Sequence, residues 1–112
     1  MAWNRVTGAG AWGIAATVTL GASGVAALTG PGLYIVKANA GVSDSLVQIT
    51  GLSARDEVVL EPYDGHTITI VNDASKLALQ GVDFVMNDKN DKITLVCRGG
   101  NVCDEKGRAS NG

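Results

Sequence analysis

From residue 33 to residue 104 the chain is a succession of short runs in which apolar and polar residues alternate. Each run is closed within a few positions by Gly, Asn, Asp or Pro. A period of two over four to eight residues is that of a half-buried β-strand, and turn residues at this spacing punctuate an all-β unit. The runs are Leu33–Ala38, Leu46–Thr50, Glu57–Glu61, His66–Asn72, Lys76–Leu79, Lys92–Arg98 and Asn101–Asp104. In His66–Asn72, Ile68 and Ile70 share one face while Thr67 and Thr69 share the other. No stretch holds apolar residues at helical spacing long enough for a helix. The expected fold is therefore all-β, a small antiparallel sandwich or barrel, or a prism, of short strands.

Charge divides the chain in two. No charged residue lies between Arg5 and Lys37, whereas all eleven acidic residues and eight of the nine basic ones lie from Lys37 onward. The sequence thus reads as an uncharged, Gly/Ala-rich N-terminal arm over residues 1–32 and an all-β body over residues 33–112. Within the arm, Ile14, Val18 and Leu20 fall on one parity and Ala15, Thr17 and Thr19 on the other, the pattern of one more strand. Gly21 to Gly32 reads as a small-residue connector. Trp3, Trp12, Ile14, Val18 and Leu20 are the candidate contacts of this arm with a neighbouring subunit, and a mobile tail is the equal alternative for its first residues. The stretch is long enough to span a bilayer, but its glycines and threonines give weak insertion, so no membrane partner is expected. A secretory signal with Arg5 before the Ala11–Leu20 run competes less well, because the run is diluted by Gly and Thr.

A net charge of −2 over 112 residues supplies no basic face, and no nucleic-acid partner is expected. Aromatics are only 4% of the chain, so the core must be built from Val, Ile, Leu and Ala. A thin core of this kind gains by burying surface against further copies or a larger assembly.

The motifs that could carry chemistry each lack their context. Gly8-Ala9-Gly10-Ala11-Trp12-Gly13 matches a dinucleotide-binding pattern, but no helix follows to hold a phosphate. Asn87-Asp88-Lys89-Asn90-Asp91 bunches oxygen ligands without the late bidentate Glu of a calcium loop, and reads as a turn. His66 is the single histidine and opens a strand with no nucleophile near it in sequence. With Gly99-Gly100 as a two-residue hairpin turn, Cys97 faces Val102 and Cys103 faces Val96. That register disfavours a disulfide and makes free thiols the preferred reading, with a bulge or longer loop as the way a disulfide would form. No catalytic residue, cofactor or metal is expected, and the chain reads as a non-enzyme.

Three blocks carry a resemblance. They are Asp44–Ile49 with Gly51, then Asp56-Glu57-Val58-Val59-Leu60-Glu61-Pro62, then Asp64-Gly65-His66-Thr67-Ile68-Thr69-Ile70. Lys76–Met86 and Asp91–Gly100 continue it, so the likeness covers about residues 42–104. This part resembles a β-rich module of tailed-bacteriophage tail-fibre, tailspike and other virion proteins. Val102 stands where that module usually carries an aromatic, and Cys97 replaces a residue often aromatic. The resemblance implies a homotrimeric virion structural protein that is assembled in the host cytoplasm and carries no catalytic residues. With the module nearly the whole chain, a capsid decoration (cement) protein contacting the major capsid protein or other virion proteins is the leading expectation. A small tail, baseplate or fibre-attachment subunit is the alternative, and a carbohydrate-binding surface module stands behind both.

Overall fold

The computed structural model describes residues 15–110. The chain is all-β, with eleven strands and no helix among the described residues. It winds as a β-solenoid of about three turns. The first turn is β1 (Ala16–Thr19) and β2 (Val25–Ala27); the second is β3 (Gly32–Lys37), β4 (Ser43–Leu46) and β5 (Gln48–Thr50). The third begins with β6 (Glu57–Pro62) and β7 (Thr67–Ile70). After β8 (Leu77–Ala78), the strands β9 (Phe84–Met86), β10 (Lys92–Gly99) and β11 (Val102–Ala109) close the stack.

Like strands of successive turns lie one over another in parallel. β1 pairs with β3 and β3 with β6, β2 with β5, and β4 with β7. The closing strands reverse direction: β10 runs antiparallel to β6, β11 to β10, and β9 to β7. Three sheets result, a six-stranded one in the order β1-β3-β6-β10-β11-β8, a pair β2-β5, and a trio β4-β7-β9. The expected antiparallel sandwich or barrel is corrected to a three-faced stack that is parallel until its last turn. Local alternation fixes which residues face inward, but the partners of a strand lie a whole turn away. Residues 16–31, grouped by charge with the arm, build the first turn of the solenoid, and Leu20, Ala26 and Leu28 are buried in its core.

Inside, the ladders of strand pairing become ladders of apolar side chains. Tyr34 lies over Leu60 and Leu60 over Ile93; Leu46, Ile70 and Phe84 form a second column, and Ala26 and Ile49 a third. All of these belong to one buried cluster. Glycine sets how closely turns approach. Gly24, with φ of 80°, leaves space where a Cβ would meet the Ser45 carbonyl oxygen at 2.5 Å. Residues 46–50 do not form one strand as the sequence suggests. The Val47 N–H turns to donate to the Gly24 carbonyl at 2.8 Å, making a corner that divides β4 from β5.

The cysteines are the second correction. Cys97 and Cys103 form a disulfide. The hairpin turn is Gly100-Asn101, with φ of 63° and 62°, one position later than Gly99-Gly100. Positive φ at both central residues is the turn that suits a twisted hairpin. Gly99 then pairs with Val102, and an irregularity between Cys97 and Gly99 brings Cys97 opposite Cys103. The one-position offset and the bulge together turn a diagonal pair into a facing one.

The cap is tied down by a half-hidden ion pair. Glu105 has no exposed side-chain surface and takes two hydrogen bonds from Arg108, at 2.6 and 2.7 Å, and one from the Gln80 N–H at 3.0 Å. Arg108 also lies 4.7 Å over the Phe84 ring and donates to the carbonyls of Val82 and Asp83. The Arg108 hydrogen bonds hold the Glu105 carboxyl below the usual carboxylate range. Arg108→Ala is expected to destabilise the protein by about 2 kcal/mol, less than for a fully buried pair because Arg108 is partly exposed. Its urea-unfolding midpoint at neutral pH checks this. The lowered native pKa of Glu105 contributes stability above the carboxyl's unfolded value of 4.5, and that stability is lost as pH falls through the native pKa. The deficit of the variant should therefore shrink on acidification.

Candidate functional site

The outer face of the six-stranded sheet presents three rows. Parity puts Leu33, Ile35 and Lys37 of β3 outward, with Glu57, Val59 and Glu61 of β6 and Lys92, Thr94 and Val96 of β10; all are half-buried. Register aligns Leu33 with Val59 and Val59 with Thr94, giving a central uncharged row. On one side, Ile35 lies beside Glu61, whose carboxylate meets Lys92 at 2.7 Å. On the other, Glu57 pairs with Lys106 at 3.2 Å and lies beside Val96, which adjoins Asp104. Asp104 takes two hydrogen bonds from Arg98, at 2.7 and 2.8 Å, and these hold its carboxyl below the usual range. The result is a narrow apolar strip between two borders of paired charges, the anatomy of a docking patch with a dry centre and a polar rim.

Beyond the Ile35–Glu61–Lys92 border of this strip lies a groove of about 440 Å³, lined by those three residues with Pro62, Tyr63, Asp64, Lys89 and Asn90. Tyr63 opens a tight turn, its N–H donating to Val36 and its carbonyl accepting from the His66 N–H at 2.8 Å. The Lys37 ammonium lies 4.6 Å over the Tyr63 ring, and the His66 ring meets it edge-on at 5.0 Å. His66 Nδ1 accepts the Ala38 N–H at 3.1 Å, so this imidazole fastens β3 to the turn before β7.

The singled-out residues are dispersed. Trp3, Trp12 and Ile14, with the Gly8–Gly13 pattern, lie outside the described residues. Val18 is half-buried on β1 and packs against the core, and Leu20 is inside it. In the Asn87–Asp91 loop the Asp91 carboxylate accepts the N–H groups of Asn87 and Asp88, and Asp88 accepts that of Asn90. These are bonds that shape a turn. Among the described residues no three His, Cys, Asp or Glu side chains gather as a metal site. The outer rows went unmarked in the sequence, although one signal was present. Leu33-Tyr34-Ile35-Val36 is apolar on both parities, as in strands covered on both faces.

No protein-family model matches the chain, and no curated protein matches it.

Proposed function

We propose that the chain is a structural subunit of a tailed-bacteriophage virion, and that it decorates the head shell by docking on the major capsid protein. The virion assignment draws on the resemblance over residues 42–104. The observation that favours docking is the outer sheet face, where the Leu33–Val59–Thr94 row is offered on a rigid solenoid between paired charges. Burying such a strip stabilises a shell through contact area and mass action, with no chemical step. Specificity comes from the rim, where an ill-matched partner would leave charges desolvated and unpaired. The Cys97–Cys103 disulfide suits a particle that spends its infectious life outside the cell.

The alternative placement is a small tail, baseplate or fibre-attachment subunit, for which the same face would serve. A carbohydrate-binding role is less well supported. The groove's aromatic, Tyr63, has one ring face taken by Lys37 and an edge taken by His66, which leaves little platform for a sugar.

Cryo-EM and quantitative mass spectrometry of purified virions test the reading. Shell decoration requires density on the head and a copy number comparable to that of the capsid subunit. Density confined to the tail, at a few copies per particle, would establish the alternative. In a particle-binding assay, Val59→Glu should weaken shell association at least tenfold while the circular dichroism spectrum of the protein is unchanged.

A further inference from the structure

We infer that the β1 edge of the first turn is a self-association site, at which the strand pairs antiparallel with β1 of a second copy about a two-fold axis. The inference concerns contact between copies and stands whether or not the protein is a virion subunit.

The hydrogen bonding of β1 shows which groups are available. The Leu20 N–H donates to Lys37 on β3 at 3.0 Å, and Ala16 lies in register with Tyr34. Backbone groups of a strand alternate in direction, so Ala16 and Val18 also bond toward β3, while the N–H and C=O of Thr17 and Thr19 point away from it. No other described strand pairs with that side of β1. The neighbouring edge strand β2 is partly closed by its own corner, since the Val25 carbonyl accepts the Gly21 N–H at 3.0 Å. β1 is thus an edge with a repeating pair of donors and acceptors on offer.

Exposed edges are normally blunted by charge, proline, a bulge or shortness. The far edge of the same sheet follows this rule. It ends in the two-residue β8, flanked by Lys76 and Asp73, beside a β11 that is bulged against β10. β1 reads Ala-Thr-Val-Thr, twice the length of β8, with no charge, proline or bulge.

Charge decides the occupant. In a two-fold contact each residue meets itself or a near neighbour, so any charge at the centre faces its like. The first turn carries no charge at all, the next charged residue after it being Lys37. A partner of different sequence would be selected and oriented by complementary charge, and this edge offers none. An edge with bare hydrogen-bonding groups and no charge suits its own copy best.

Sedimentation of the full chain across a concentration series, with amide exchange read at Thr17 and Thr19, tests the inference. The expected result is a dimer that dissociates on dilution, with slow exchange at both amides that becomes fast over the same concentration range. Thr19→Pro removes an outward N–H and spares the bonds to β3, so it should weaken the dimer at least tenfold while the dilute protein melts as before. If that variant does not fold, Thr17→Lys, which sets like charges together across the axis, gives the same reading. A monomer whose Thr17 and Thr19 amides exchange fast at every concentration would overturn the inference. So would a monomer in which they are always slow, which would show the edge covered by the chain's own N-terminal residues. A trimer mass, the three-fold assembly implied by the resemblance, would overturn it as well.

Discussion

Gly51→Ala is expected to destabilise the protein by about 2–5 kcal/mol, a large share of the about 5–15 kcal/mol that holds a domain of this size folded. Two costs add. Gly51 has φ of 91°, where an L side chain is strained by about 1–2 kcal/mol. The position also lies directly over Leu28 of the preceding turn, whose N–H donates to Thr50 at 2.9 Å. A Cβ on Gly51 would fall far inside van der Waals contact distance of the Leu28 carbonyl oxygen. Backbone cannot swing aside as a side chain can, so the turns must separate, and overpacking of this kind costs about 1–3 kcal/mol more. Gly65→Ala is the matched control. Its φ of 85° is similar, but nothing lies within 4 Å of the added carbon. Only the strain of about 1–2 kcal/mol should remain. Urea-unfolding midpoints of the two variants separate the effects. Equal losses would show that Gly51 is needed for its dihedral alone and not for the approach of one turn to the next.

The contrast between those glycines also marks what the sequence could and could not express. Strand limits were legible wherever one face is buried. The runs from Leu33, Glu57 and Lys92 match β3, β6 and β10 to within a residue or two, because period-two alternation reports burial directly. Pairing was not legible. A sandwich and a solenoid use the same alternation, and they differ in whether a strand bonds to its sequence neighbour or to the strand one turn away. Turns of unequal length hid the repeat: Ala16 lies over Tyr34 and Tyr34 over Leu60, which are unequal steps along the chain. β9 escaped notice because a three-residue strand shows too little alternation to register.

The candidate surface was legible in outline at best. The two-sided apolar character of β3 points to a covered outer face, but the charged borders pair across separate strands. Glu61 meets Lys92, and Glu57 meets Lys106, only after the stack is formed. The Lys37–Tyr63–His66 cluster likewise draws on β3 and on the turn before β7. For the cysteines the error was local. The turn lies one position later than the sequence suggests, which by itself keeps each side chain on its face; the irregularity between Cys97 and Gly99 is the one-residue slip that exchanges faces and sets Cys97 opposite Cys103.

Leu60→Ala should cost about 3–4 kcal/mol, and a domain of this size has only about 5–15 kcal/mol to lose. Leu60 is fully buried at the middle of β6, between Tyr34 below and Ile93 above. Its removal opens a cavity at the junction where the parallel turns meet the antiparallel cap. Collapse around it is restricted, because both neighbours sit on strands held in register by their own ladders. The thermal midpoint should fall by roughly 12–32 °C at about 4–8 °C per kcal/mol. Val82→Ala, at a side chain 62% exposed, should shift stability by no more than about 0.5 kcal/mol. The shape of the transition carries a further test. If the cap and the turns share one core, as the continuous buried cluster requires, Leu60→Ala lowers a single transition without dividing it. Two separate transitions would mean that the cap folds apart from the turns it covers.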